Sequence, residues 1–231
     1  MRIVSDTRTA PVSRVLHEAG APAWEAATTH PMVRAIAAGT LPHAVFRGYF
    51  EQNVLYLQEY ARAIALILAK APDRDAITTL GAFLGQIVRT EIPANLRFLE
   101  RLGGDAAAAA AAGSAGMQET TYAYTRHLLS ACAQGTPAEG LAAVLPCQWS
   151  YGEIARPLLA APPRDPIYAD WIGMFGNDEY EALVGATTGL LDRLADPGDA
   201  DIMSSLAAIF ERSTSYETRF WDMAYAAARG E

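Results

Sequence analysis

The sequence predicts one all-α domain, and three observations carry that prediction. Apolar and aromatic residues recur at steps of three and four through most of the chain, which is the helical period. No run alternates apolar and polar residues between turn residues, so there is no reason to place a sheet. No linker or internal repeat divides the 231 residues, so 1–231 reads as one unit, long enough to bury a core without staples.

The elements follow in order. Ser13 to Ala27 is expected as a first helix and Met32 to Ala38 as a short second one. Leu41 to Ala71 reads as one long helix. Phe46, Tyr49, Phe50, Asn53, Tyr56, Leu57 and Tyr60 share a broad face of it, Pro42 suits its first turn and Pro72 stops it. Asp73 to Leu102 is the next helix, ended by Gly103–Gly104 and kinked inside at Pro93. The alanine run Ala106 to Ala112 is low in complexity and reads either as a helical extension or as a connector. Gln118 to Ala133, Pro137 to Leu159, Ile167 to Phe175, Asp178 to Leu194 and Asp201 to Ala228 complete the set. Asp73, Asp178 and Asp199 stand near helix starts, where a side-chain oxygen can accept an orphan N–H bond.

Composition narrows the function classes. With 18 basic and 26 acidic residues the net charge is −8, which argues against nucleic acid as a partner. The longest strongly apolar run, Ala63 to Ala69, is flanked by Arg62 and Lys70 and is too short to span a membrane. The opening MRIVSDTRTAP lacks the apolar stretch of a secretory signal. Two cysteines, Cys132 and Cys147, cannot build a disulfide framework and point to a reducing compartment. The expectation is a soluble, cytoplasmic protein.

Candidate chemistry concentrates in a few segments. In Leu145–Pro146–Cys147–Gln148–Trp149–Ser150–Tyr151 a proline interrupts a helical pattern and can aim Cys147 into a cavity, with Tyr151 one turn later on the same face. Cys147 is then either a nucleophile or an inert cysteine beside a kink. Cys132 has no such context and reads as packing. Glu217, Phe220 and Trp221 share a helix face. Glu217 is either a carboxyl whose pKa apolar surroundings raise, suited to proton donation, or a solvated group at the edge of the core. Asn53, Tyr56 and Tyr60 form a stripe that either stacks a flat heterocycle or packs the core, and Tyr122 and Tyr124 allow the same two readings. The four histidines lie in no Glu-x-x-His pair, and no Gly-x-Gly-x-x-Gly, Walker A or Gly-x-Ser-x-Gly motif is present.

Taken together, these segments resemble the TenA/thiaminase II family over nearly the whole chain. The resemblance rests on Trp24 with His30–Pro31 and Ala38–Gly39–Thr40–Leu41–Pro42, then Phe46-x-x-Tyr49-x-x-Gln52 and Tyr56–Leu57. It continues through Leu145–Pro146–Cys147-x-Trp149-x-Tyr151-x-Glu153–Ile154, Tyr168-x-x-Trp171–Ile172 and Glu217-x-x-Phe220–Trp221-x-Met223–Ala224–Tyr225. It implies an all-helical fold shared with haem oxygenases and a homotetramer. The implied activity is hydrolysis of an aminopyrimidine to hydroxymethylpyrimidine in thiamin salvage, or cleavage of thiamin, with no metal or organic cofactor. Carried over, Cys147 matches the nucleophile and Glu217 the acid/base at a ring nitrogen. Tyr56, Tyr124, Tyr151 and Phe220 match pocket-lining positions. Two departures stand out. Asn53 falls where the family has a substrate-binding aspartate, and Phe175 where it has a tyrosine. An amide carries no charge and donates as well as accepts, so the resemblance implies a catalytically competent pocket with an altered substrate. Its alternative is a weakly catalytic binding protein for a thiamin-related heterocycle.

Overall fold

The computed structural model describes residues 10–226, and the described residues form helices and turns with no strand. Residues 1–9, and residues 227 and 228 of the helix expected to reach Ala228, lie outside them. Among the described residues no helix is long and apolar enough to cross a membrane.

The first expected helix is two, α1 (Val12–Ala19) and α2 (Ala21–Thr28), parted at Gly20. Pro22 lies in the first turn of α2, and its ring would meet the carbonyl four residues back in a continuous helix, so the chain turns instead. Helix α3 (Pro31–Ala38) is capped by His30 Nδ1, which accepts from the Met32 N–H at 3.1 Å, and it ends at Gly39 in the left-handed region at φ 67°. Helix α4 (His43–Leu68) starts just after Pro42.

The expected Asp73–Leu102 helix holds a different feature from a simple kink. Helix α5 (Arg74–Gln86), capped by Asp73, passes into a π-helical stretch Ile87–Glu91 and then into α6 (Ile92–Arg101). Pro93 lacks the N–H that the turn before it needs, and the backbone widens there rather than breaking. The alanine run resolves into a short helix, α7 (Ala106–Ala111), capped by Asp105. Two glutamines of α4 hold this region down: Gln58 donates to the Ala110 carbonyl at 3.0 Å and Gln52 to the Gly116 carbonyl at 3.1 Å.

Helix α8 (Glu119–Gln134) leads to α9 (Pro137–Ala155), which starts with a reciprocal Thr136–Glu139 cap and runs on through Pro146. Then come α10 (Pro166–Phe175), α11 (Asp178–Leu194) and α12 (Ala200–Ala226). Asn177, not Asp178, caps α11, whereas Asp73 and Asp199 cap as expected. Helix α4 is the central element, packed against α5, α6, α8 and α9, and α9 in turn packs on α11 and α12. Its buried side includes Phe46, Tyr49, Phe50, Tyr56, Leu57 and Tyr60, at about 1.5–3 kcal/mol for each large apolar side chain buried.

Helices α4 and α9 approach closely at Gly140, where an added Cβ would lie 2.7 Å from Ile67 Cγ1. Gly140→Ala is therefore expected to lower stability by about 1–3 kcal/mol through overpacking, read as a lower urea midpoint at unchanged slope.

Candidate active site

The residues that matter converge where α4, α9 and α12 pack together, with the π-turn against α4. Cys147, Gln148 and Tyr151 come from the middle of α9, just past Pro146. Tyrosine hydroxyls brace that segment from both sides: Tyr60 donates to the Val144 carbonyl at 2.7 Å and Tyr180 to the Gln148 carbonyl at 3.0 Å. A narrow, tightly packed pocket lies there, lined by Asn53, Glu91, Cys147, Gln148, Tyr151 and Phe175 among others. Phe175 also borders a groove at the surface, with Trp149, Arg156 and Glu181.

Of the residues expected from the sequence, Asn53, Cys147, Tyr151 and Phe175 line this cavity. Tyr56, Tyr124, Phe220 and Glu217 form a packed aromatic cluster that reaches Cys147. Tyr56 lies 5.0 Å from Tyr124 and 5.6 Å from Phe220 between ring centres. Tyr124 donates to Glu217 Oε1 at 2.5 Å. Tyr151 shares a 2.9 Å hydroxyl contact with Tyr49, stacks on Trp221 and meets the edge of Phe175.

Cys147 and Glu217 come together although 70 positions separate them (217 − 147). Each alters the other's acidity: the Glu217 charge raises the thiol pKa, and the thiol helps hold the carboxylate. Burial is the largest influence on both. It lifts the Cys147 thiol well above its ordinary range, opposed by the Tyr56 and Tyr60 hydroxyls. Cys147 keeps some accessible surface because it lines the cavity, while the protein around it strips away bulk water. The Tyr56 hydroxyl has no hydrogen-bond partner of its own, which leaves it free to serve the sulfur. Glu217 is pushed up to about 7 by burial, against the opposing pull of Tyr124 and Cys147. By contrast Cys132, raised to about 12 by burial, lies against the Gly140 carbonyl as packing.

Asn53 has a structural duty that the sequence did not reveal. Its Nδ2 donates to Asn95 Oδ1 at 2.8 Å, and Asn95 Nδ2 donates to the Glu91 carbonyl at 2.8 Å. The amide thus ties α4 to the π-turn, and an aspartate at 53 would set two acceptors face to face. Sequence reasoning also missed Glu91 and Gln148. Glu91 is 6% exposed and burial pushes its carboxyl up to about 8. A readable signal existed, because Phe83, Ile87 and Glu91 repeat at steps of four and all three line the cavity. Gln148 accepts from Thr187 Oγ1 at 2.6 Å through Oε1, which leaves its buried Nε2 without a partner. Among the described residues no group of three or more His, Cys, Asp or Glu could hold a metal ion.

Fold and cavity together define a helical protein of the haem oxygenase-like class with a thiol and a carboxyl paired in its core. A domain from Shewanella denitrificans described as having that fold superposes with TM-score 0.72 at 15% identity, over 94% of this chain and 93% of its own. Residues 17–227 match the TENA/THI-4/PQQC family, and the chain belongs to it. It is 34% identical to the aminopyrimidine aminohydrolase of Halalkalibacterium halodurans, across 91% of this chain and 93% of the relative. It is 32% identical to that of Bacillus subtilis, across 92% and 89%. The TenA homologue of P. horikoshii superposes with TM-score 0.83 at 29% identity, covering 94% of this chain and 99% of its own.

Glu91 and Glu217 are both harder to ionise folded than unfolded, so the native state binds their protons more tightly. Their contribution is complete below about 4.5, the ordinary glutamate value, and is lost as pH rises through about 7 for Glu217 and about 8 for Glu91. Melting temperature should therefore fall across the neutral to alkaline range. Glu91→Gln should flatten the fall up to about 8 and Glu217→Gln the part up to about 7, as thermal melts at stepped pH would record.

Proposed function

We propose that this protein is a cysteine-dependent hydrolase that takes an aminopyrimidine and releases hydroxymethylpyrimidine in thiamin salvage. Cys147 acts as nucleophile and Glu217 as acid and base. The observation that carries the reading is the paired Cys147 thiol and Glu217 carboxyl beside a ring-lined cavity. Relatives named aminopyrimidine aminohydrolase, aligned along nearly their full length, support it.

A pyrimidine carbon resists thiol attack until a ring nitrogen is protonated. Glu217, holding its proton up to about 7, supplies it. The carboxylate so formed takes the thiol proton as the sulfur–carbon bond forms at the neighbouring carbon. The amine leaves with a proton, water adds in its place, and the sulfur departs to restore the ring. The sum is water consumed and an amine released. Tyr124, donating to Glu217 Oε1, holds the carboxyl in position and stabilises its ionised form. Tyr56, Tyr151 and Phe220 supply ring surface, while Asn53 and Phe175 adjust the pocket toward a variant of the standard substrate. A homotetramer in the cytoplasm accords with the family relation and the two free cysteines, and sedimentation velocity reads the assembly.

One observation favours a second reading, a weakly catalytic binding protein: burial strongly disfavours the Cys147 thiolate. Product formation decides between the two. Cys147→Ala should abolish turnover with the circular dichroism spectrum unchanged, and full activity in that variant would remove the nucleophile assignment. Glu217→Gln should cost about 10²–10⁴-fold, the usual range for a lost acid–base group. Because Glu217 works as the acid, kcat/KM should decline as pH rises through about 7. Tyr124→Phe, which removes a donor to the carboxylate, should move that decline to higher pH.

A further inference from the structure

Two polar groups at the cavity are not used by the chemistry above. Glu91 stands on the π-turn with its carboxyl in no ion pair, and its backbone carbonyl is already taken by Asn95. Gln148 is 2% exposed, and its amide is oriented by Thr187 so that Nε2 is a buried donor without a partner. A buried polar group left unsatisfied is costly, and Gln148 Nε2 is one, on the same pocket as the buried Glu91. One is an acceptor and the other a donor. The surrounding walls, including Leu57, Phe83, Ile87, Tyr151 and Phe175, are largely apolar, three of the five aromatic. A planar ring with an exocyclic amine next to a ring nitrogen presents the complement: an N–H donor beside an acceptor.

We propose that Glu91 and Gln148 form the specificity edge of this cavity, with the Glu91 carboxyl accepting from the ring amine of an amino-substituted heteroaromatic and Gln148 Nε2 donating to the adjacent ring nitrogen. This rests on the reading that the site takes an aminopyrimidine, and adds which residues read its amine edge. Neither touches the reacting atoms. Their effect is on which ring is held and how it is turned toward Cys147 and Glu217. The π-turn matters because it holds one residue more than an α-turn and shifts the helix face by about 100°, which sets the phase at which Glu91 leaves the backbone. A proton on Glu91 does not abolish the contact, since the acid retains an accepting oxygen.

The test is binding by calorimetry together with steady-state kinetics. The calorimetric probes are hydroxymethylpyrimidine with its ring amine and the analogue in which that amine is an oxo group, and the kinetics use the aminopyrimidine whose hydrolysis releases hydroxymethylpyrimidine. The wild type should prefer the amine. Glu91→Gln should weaken amine binding about tenfold, the scale of one hydrogen bond to a charged or buried partner, and raise KM with kcat little changed. The exchange Glu91→Gln with Gln148→Glu inverts donor and acceptor while keeping an oxygen for Thr187, and should reverse the preference toward the oxo analogue. A folded Glu91→Gln that binds the amine as tightly as the wild type overturns the proposal. So does a double variant that loses both ligands equally, which would mark a merely structural role. If the wild type neither binds nor turns over an aminopyrimidine, the functional reading falls and this inference with it. If the wild type does and only the variants fail to respond, this inference alone is lost.

Discussion

Two carboxyl groups, Glu91 and Glu217, sit buried in the core, and no ion pair among the described residues balances either. Their desolvation is the constraint on which the rest of the site depends. A carboxyl taken from water without a cation keeps its proton to higher pH. The protein thus holds, near neutrality, an acid that would be spent in water. The same desolvation keeps Cys147 and the surrounding tyrosines protonated. The resting site is therefore close to neutral and rich in donors.

Burial of this kind is costly, and the helices supply the offset. The long α4 commits nearly its whole central stretch to the core, and α9 is buried on most sides around Pro146. Tyr60 and Tyr180 brace α9 just where the proline weakens it. What results is a rigid frame around a small unsatisfied interior, an arrangement expected where geometry must be held for chemistry rather than for stability.

The helical class, most helix boundaries and the pocket residues Asn53, Cys147 and Tyr151 were legible, because a repeat of three and four identifies a buried face. The joining of Cys147 with Glu217 was not a matter of local pattern; it came from resemblance, since nothing in either segment fixes how α9 and α12 pack. Glu91 escaped although it continues the step of four from Phe83 and Ile87, and Pro93 announced only a disturbance, not the π-turn it takes. Gln148 escaped because its free donor exists only by virtue of Thr187 on another helix. The split of the first helix at Gly20 was legible in Pro22 and was passed over in favour of the apolar period.

The relay from the Asn53 amide through Asn95 to the Glu91 carbonyl makes two side-chain positions interdependent. Each link uses one amide as donor and the next group as acceptor, so an acidic residue at 53 or 95 alone leaves two oxygens opposed. Such a change at either position alone therefore weakens the tie between α4 and the π-turn. Positions 53 and 95 are thus coupled through their side chains, whereas position 91 enters the relay only through a backbone carbonyl that any residue supplies.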